Sequence, residues 1–227
     1  MQIKQYNGIS QKEVESKTHN IFIGISLGNR HFTLDNIKDW LDWSLKNTKE
    51  YVLLLIADEL QSINYEVFEK LSKEDALKKA LEEGQKLKAD ITNLINSDFA
   101  KYKEKIFLVG WKELKNDKYK KNIKFVLNEF KMNINFKNCI IGFVKKYLGS
   151  KTKILSENNI NYLCNYLLDE IPLVIGGIQY NNILFDLNPY PGEGISKMIL
   201  DIQDSKIFPE LTKKLTIENK IGFLDIA

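Results

Sequence analysis

The sequence predicts an α/β fold built on a mainly parallel central sheet, and three observations carry the prediction. Residues 20–26 and 51–57 are continuous apolar runs rich in isoleucine and leucine, the composition of strands buried on both faces. The stretches between such runs carry apolar residues at helical spacing. Strand and helix then alternate along the first 130 residues, an order that places crossover helices against a sheet.

Taken in order, residues 20–26 form the first strand and end in a turn containing Gly28. Residues 35–45 place Ile37, Trp40, Leu41 and Leu45 on one helical face. The second strand, 51–57, stops at Asp58 and Glu59. Ser72-Lys-Glu-Asp75 has the form of a capping box and opens a long helix reaching about Ile95. A third strand covers 105–111. Helices follow over 114–130, 136–148 and from 157 to about 170, where Pro172 ends or kinks the last one near Ile171. The only prolines are at 172, 189, 191 and 209, so the C-terminal third reads as more irregular. Apolar runs at 183–187 and 221–226 can each add a strand. Tyr190-Pro191 falls in a segment, 188–194, that reads as a rigid connecting loop before the next helix. No linker, composition break or repeat divides the chain, so one Rossmann-like domain over 1–227 is expected.

The 227 residues carry 33 Lys and Arg against 30 Asp and Glu, a net charge of +3, with Arg30 the single arginine. Lysine attracts phosphate as a point charge without a bidentate fork, so base-specific reading is not expected. An AT-rich genome accounts for the same composition, so a nucleic-acid partner is permitted but not required. Cys139 and Cys164 form no CxxC pair and read as reduced core residues. With two histidines scattered from them, no metal site is expected. The longest apolar runs fall well short of the ~20 residues that span a bilayer. Residues 1–20 are polar, without a signal-peptide core. The expectation is a cytoplasmic protein with no membrane partner and no cofactor.

Chemistry enters at Gly24-Ile-Ser26-Leu-Gly28-Asn29, where the first strand ends. Open α/β sheets bind ligands at the carboxyl ends of their strands, so Ser26 is presented to a pocket. The segment matches GxSxG, a weak pattern that a plain strand-ending turn also satisfies. A hydrolase triad does not follow. Only His19 and His31 exist; His19 precedes the serine, and His31 leaves no room for the intervening acid. Dinucleotide binding fails as well, because His31 stands where a third glycine belongs. No Walker A motif is present. Further on, Tyr166 and Glu170 stand four residues apart on one helical face. A glutamate there can bind an ammonium group or carry a proton, or it can be an ordinary solvated helix residue.

Gly24-x-Ser26-x-x-Asn29, Tyr166-x-x-x-Glu170 and Tyr190-Pro191, in this order and at these intervals, resemble the signature of the tRNA-dependent cyclodipeptide synthases. Asn29, Tyr190 and Pro191 together look like one subgroup of that family. The resemblance spans roughly residues 20–195. It implies a three-layer fold similar to the catalytic domains of class I tyrosyl- and tryptophanyl-tRNA synthetases, with two aminoacyl-tRNAs as substrates and a cyclic dipeptide as product.

The resemblance also implies roles. Ser26 takes the first aminoacyl group as an ester, a dipeptidyl enzyme forms with the second aminoacyl-tRNA, and ring closure frees Ser26. Tyr166 and Glu170 hold the α-ammonium group, Glu170 relays protons, and Tyr190 positions Ser26 or shares in proton transfer. Gly24 and Asn29 shape the turn, and Pro191 fixes Tyr190. Ester-to-ester transfer is nearly isoenergetic and amide formation runs downhill, so ATP is not needed. Orientation alone can supply ~7–11 kcal/mol of the barrier. Phe22, Leu54, Ile56 and Leu173 are assigned to the first amino-acid pocket, which points to hydrophobic residues such as Leu, Phe or Met. Lys78, Lys79, Lys86 and Lys88 are assigned to tRNA, although Glu82 and Glu83 share their helix. Lys115, Lys118, Lys120, Lys121 and Lys124 form a denser basic cluster on the next helix and stay open as the alternative contact. A monomer is expected. A non-catalytic module binding aminoacyl-tRNA or an amino acid, and an esterase without histidine, stay open as alternatives.

Overall fold

The computed structural model describes residues 1–192 and 194–227. In chain order these form β1 (Ile3–Asn7), α1 (Gln11–Glu15), β2 (Ile21–Ile25), α2 (Leu34–Asn47), β3 (Val52–Ile56), α3 (Asp58–Phe68) and α4 (Lys73–Asp98). Then come β4 (Ile106–Gly110), α5 (Asp117–Met132), α6 (Ile134–Leu148), α7 (Glu157–Val174), β5 (Ile178–Tyr180) and β6 (Ile183–Phe185). The chain ends with β7 (Leu187–Pro191), α8 (Ser196–Gln203), α9 (Pro209–Lys214) and β8 (Gly222–Ile226).

One six-stranded sheet runs in the order β1-β8-β7-β2-β3-β4. All its pairings are parallel except β1 with β8, which closes one edge antiparallel. The chain winds from β2 through β3 to β4, then returns to lay β7 on the other side of β2. The β2–β7 junction is therefore the topological switch point, where α/β sheets open a ligand crevice.

Alternation along the strands makes three layers. Ile21, Ile23 and Ile25 of β2, with Val52, Leu54 and Ile56 of β3, pack under α2 and α4 against Ile37, Trp40, Leu41, Ile91 and Ile95. Phe22, Leu53 and Leu55 face the other way, into a core built with α3, α5, α6, α7 and α8.

The expected strands at 20–26, 51–57 and 105–111 and the long helices all form, with differences that have local causes. Ser72 caps α4 by accepting from the Asp75 amide at 3.1 Å, but the Asp75 carboxylate accepts from the Ser72 hydroxyl at 2.7 Å. Aspartate is one methylene shorter than the glutamate of a full capping box. Pro172 lies inside α7, which continues to Val174 and leaves through Gly176 and Gly177, both at positive φ. A proline this close to the helix end removes one backbone bond where the last turn is already short of partners. The run 183–187 is two strands rather than one. Asn181 and Asn182, at φ of 49° and 61°, turn β5 back on β6 as a hairpin, and β7 begins anew in the main sheet. The polar residues 1–20 contain β1 and α1, and α3 has no counterpart in the sequence reading.

Tyr190-Pro191 is the end of β7, not a loop; Glu193 of the 188–194 segment lies outside the described residues. Two prolines in an internal strand need an explanation, because proline cannot donate to a ladder. The Leu187 amide donates to the carbonyl of Asn20, the residue just before β2, at 3.3 Å. Residues at alternate positions face the same neighbour, so Pro189 and Pro191 also turn toward β2. The β2–β7 register accordingly consists of Ile21 with Leu187, while β7 pairs with β8 along its whole length. With its amide nitrogen turned inward, Asn188 donates to the Phe22 carbonyl at 3.2 Å and to that of Pro189 at 3.1 Å. A side chain thus ties the strands together where backbone cannot.

The β3–α3 corner is packed to the limit. Asp58 accepts from the Glu59 and Trp111 amides at 2.8 and 2.9 Å. A Cβ on Gly84 of α4 would come within 2.6 Å of the Asp58 Cβ, whereas a Cβ on Gly142 of α6 meets nothing within 4 Å. Gly84→Ala is therefore expected to destabilise the protein by about 1–3 kcal/mol through overpacking. Gly142→Ala is expected to stabilise it by about 0.5–1 kcal/mol through helix propensity. Denaturant melts of the two variants check this, and equal effects would refute the packing of Asp58.

Candidate active site

β2 presents Phe22 and Gly24 toward the α7 side of the sheet, and Ser26, next in the same alternation, follows them. Gly28 takes a positive φ of 72°, and the Asn29 amide donates back to the Ser26 carbonyl at 3.4 Å. This turn leaves the Ser26 hydroxyl partly exposed at the switch point. Its oxygen lies 3.4 Å from the Tyr190 hydroxyl. Tyr190 leans on Phe32, whose ring centroid is 5.9 Å away. The Asn29 side-chain oxygen accepts from the His31 amide at 3.1 Å, which leaves its NH₂ for the Tyr190 phenol.

From the opposite layer α7 brings Tyr166 and Glu170. Burial pushes the Tyr166 phenol well above its usual value, the Glu170 charge adds to this, and a hydrogen bond with Ser26 opposes it. Tyr190 is raised to about 12, again by burial first, with Ser26 and Asn29 opposing and Glu170 adding. Glu170 keeps a small opening to solvent, but protein crowds it elsewhere, and its carboxyl is raised to about 8 by burial and then by the Asp169 charge. At neutral pH the serine therefore sits among two neutral phenols and a predominantly protonated carboxyl. None of these is a strong base. An arriving ammonium group would reverse the balance by favouring the carboxylate.

The structure brings Ser26, Asn29, Tyr166, Glu170 and Tyr190 together, with Gly24 and Pro191 beside them in the strands. It does not bring the four pocket residues together. Phe22 and Leu173 belong to the core on the α7 side, but Leu54 and Ile56 point into the layer under α2 and α4. Parallel register pairs Phe22 with Leu53 and Gly24 with Leu55, so Leu53 and Leu55 share the Phe22 face. The strand 51–57 is apolar at every position, and only its pairing with β2 reveals which residues face the site. A Cβ built on Gly24 meets nothing within 4 Å, which marks open space between Ser26 and α7.

The lysines divide similarly. Lys79 is ion-paired with Glu69 at 2.6 Å and lies over the Tyr65 ring at 4.4 Å. Lys88 pairs with Glu113 at 3.2 Å. Lys78 and Lys86 are exposed and have no ion pair among the described residues. In the second cluster Lys115, Lys118 and Lys120 are held by Glu59, Glu218 and Asp117, leaving Lys121 and Lys124 exposed.

His31 is exposed, while His19 sits at the amino end of β2, 3.0 Å from Asp186. Neither completes a triad with Ser26. Among the described residues no cluster of His, Cys, Asp or Glu is placed to hold a metal ion. No helix of the described residues is long and apolar enough to cross a membrane.

A family model described as cyclodipeptide synthase matches residues 3–191. Among solved structures, a CDPS from Staphylococcus haemolyticus superimposes with a TM-score of 0.73 at 19% identity, over 95% of this chain and 94% of that one. A cyclodipeptide synthase from Candidatus Glomeribacter gigasporarum bound to Phe-tRNAPhe gives 0.66 at 18% identity, over 96% and 92%. A tryptophanyl-tRNA synthetase from Encephalitozoon cuniculi bound to tryptophan gives 0.50 at 11% identity, over 91% of this chain and 52% of that one. The fold is thus that of a class I tRNA-synthetase catalytic domain. No curated protein matches the chain.

The raised carboxyl makes a prediction about stability. Because the folded Glu170 pKa of about 8 lies above its unfolded value, the group contributes stability that is full below about pH 4.5 and lost as pH rises through about 8. Glu170→Gln, which cannot ionise, is expected to melt several degrees above the native protein at pH 9 and close to it at pH 5. A difference in melting temperature independent of pH would refute the burial of this carboxyl.

Proposed function

Because the chain belongs to the cyclodipeptide synthase family, we propose that it joins two aminoacyl groups carried by tRNA into a cyclic dipeptide, using Ser26 as acceptor. The observation that carries this reading is the convergence of the Ser26 hydroxyl with Tyr190 at 3.4 Å and with Tyr166 and Glu170 of α7, beside open space over Gly24.

In the first step the Ser26 oxygen attacks the ester carbonyl of an aminoacyl-tRNA. The bond to the ribose oxygen breaks, and the serine proton passes to that oxygen by way of the neighbouring ribose hydroxyl. A substrate lacking that hydroxyl is expected to acylate poorly. Tyr166 and Glu170 hold the α-ammonium group, which draws Glu170 into its carboxylate form. Glu170 then takes a proton as the ammonium becomes a free amine. That amine, still on the Ser26 ester, attacks the carbonyl of a second aminoacyl-tRNA; the bond to the ribose oxygen breaks, that oxygen leaves with a proton given up by the amine, and free tRNA and a dipeptidyl enzyme result. The new terminal amine attacks the Ser26 ester, closing the ring and returning the proton to the serine oxygen. Each step exchanges an ester for an ester or an amide, so no ATP is consumed. Tyr190 positions Ser26 across the β2–β7 gap, Asn29 orients Tyr190, and Pro191 ends the strand that carries it. With Asn29, Tyr190 and Pro191 at these positions, the chain resembles the subgroup that carries Asn, Tyr and Pro there.

The first aminoacyl group lies over Gly24 against Phe22, Leu53, Leu55 and Leu173, a lining that suits a hydrophobic side chain. The chain acts as a monomer and as one domain over residues 1–227, without a cofactor, in the cytoplasm. Of the four α4 lysines assigned to tRNA, Lys78 and Lys86 are the ones available to its phosphates.

Ser26→Ala is expected to make no cyclic dipeptide from charged tRNA; product at the native rate would exclude Ser26 as acceptor. A protein that binds aminoacyl-tRNA without turnover would be the non-catalytic module instead. Lys78→Gln with Lys86→Gln is expected to weaken tRNA binding and reduce its logarithmic salt slope by about two. Lys79→Gln with Lys88→Gln, which removes lysines already paired, should leave the slope nearly unchanged.

A further inference from the structure

The Ser26 turn is a ridge with space on both sides. Toward α7 lies the opening over Gly24. On the other side, between the turn and α4, lies an open groove of about 270 Å³ that Ser26 itself borders. Phe32, Leu27 and Leu87 give the groove apolar walls, and Glu83, Lys86 and Asp90 of α4 supply its polar edge. Phe32 is held edge-on by Trp40 at 5.3 Å, so its ring is a fixed wall. Glu83 accepts from the Tyr65 hydroxyl. Lys86 and Asp90 have no hydrogen-bond or ion-pair partner among the described residues, although both border the groove. One free ammonium and one free carboxylate therefore stand beside apolar walls, within reach of the acceptor serine.

We propose that this groove seats the 3′-terminal nucleoside of the aminoacyl-tRNA, with its base between Phe32 and Leu87, a base amine or ribose hydroxyl donating to Asp90, and the adjoining phosphate on Lys86. The inference rests on Ser26 being the acyl acceptor. The nucleoside is joined through one oxygen to the carbonyl that Ser26 attacks, so it must lie next to the serine while the acyl group occupies the opposite side. The groove meets that demand. It falls below the ~300–1,000 Å³ of pockets that engulf larger ligands, a size suited to one nucleoside. Its walls offer an apolar face for stacking, which tolerates any base, and a carboxylate, which requires a donor.

The test compares binding of an unfractionated, uncharged tRNA pool with intact 3′ ends to binding of the same pool lacking the terminal adenosine. The native protein is expected to lose about tenfold in affinity with the shortened pool. Leu87→Trp, which fills the groove, should bind both pools alike, at the affinity the native protein has for the shortened one. Asp90→Ala should lose part of the difference. A tRNA ending in 2-azidoadenosine, irradiated with the native protein, is expected to label residues 27–32 or 83–90, a result that does not depend on any variant folding. Equal affinity of the native protein for both pools, or labels confined to α6 or α7, would overturn the proposal. So would a Leu87→Trp protein that keeps the difference and changes only which dipeptide is made, since the groove would then hold an amino-acid side chain. Acylation by charged tRNA, followed in parallel, separates the two claims. No acyl-enzyme refutes the proposed function, whereas an acyl-enzyme with no terminal-adenosine effect refutes only the groove.

Discussion

The site depends on a ladder that stops early. β2 and β7 share backbone hydrogen bonds at their amino ends and lose them where Pro189 and Pro191 turn toward β2 with no N–H to offer. In an all-parallel sheet a continuous ladder would hold neighbouring strands about 4.8 Å apart to their tips and bury the groups between them. Here Asn188 bridges to Phe22, and beyond it the strands present Ser26 and Tyr190 to each other at 3.4 Å. The prolines lie in an internal strand, where they are normally excluded, and the lost hydrogen bonds are the means by which two polar side chains enter the sheet's carboxyl edge.

Burial then decides the protonation of everything around the serine. For Tyr166, Tyr190 and Glu170 the largest cause of the upward shift is removal from water, ahead of any neighbouring charge. Hydrogen bonds from Ser26 and Asn29 oppose the shift in the phenols without cancelling it. A site tuned in this way suits a reaction that moves protons between substrate groups. An ammonium group entering beside Glu170 brings a positive charge that favours its carboxylate, and positioning, worth up to about 7–11 kcal/mol in favourable cases, takes the place of a strong resident base.

Much of this was legible in the sequence because the determining signals are local. Buried strands at 20–26, 51–57 and 105–111 announce themselves by continuous apolar composition, and α2, α4, α5, α6 and α7 by spacing. A strand end presents Ser26 and a helical interval puts Tyr166 and Glu170 on one face, but it is the resemblance to the cyclodipeptide synthases that joins them into one site. What depends on pairing was not legible. Leu54 and Ile56 look the same as Leu53 and Leu55 in a run apolar throughout, and only the register with Phe22 and Gly24 separates the faces. Tyr190-Pro191 carries the composition of a loop, and its place in a strand follows from an alternation set by Leu187. Which α4 lysines are free depends on Glu69 and Glu113, residues brought to them from other parts of the chain.

The most direct test of the account is to find where the acyl group resides on the native protein. Brief reaction with labelled aminoacyl-tRNA, acid quenching and tandem mass spectrometry of the digest should place one ester-linked aminoacyl group on Ser26. An acyl group on another residue, or rapid formation of cyclic dipeptide with no covalent intermediate at any time point, would contradict it.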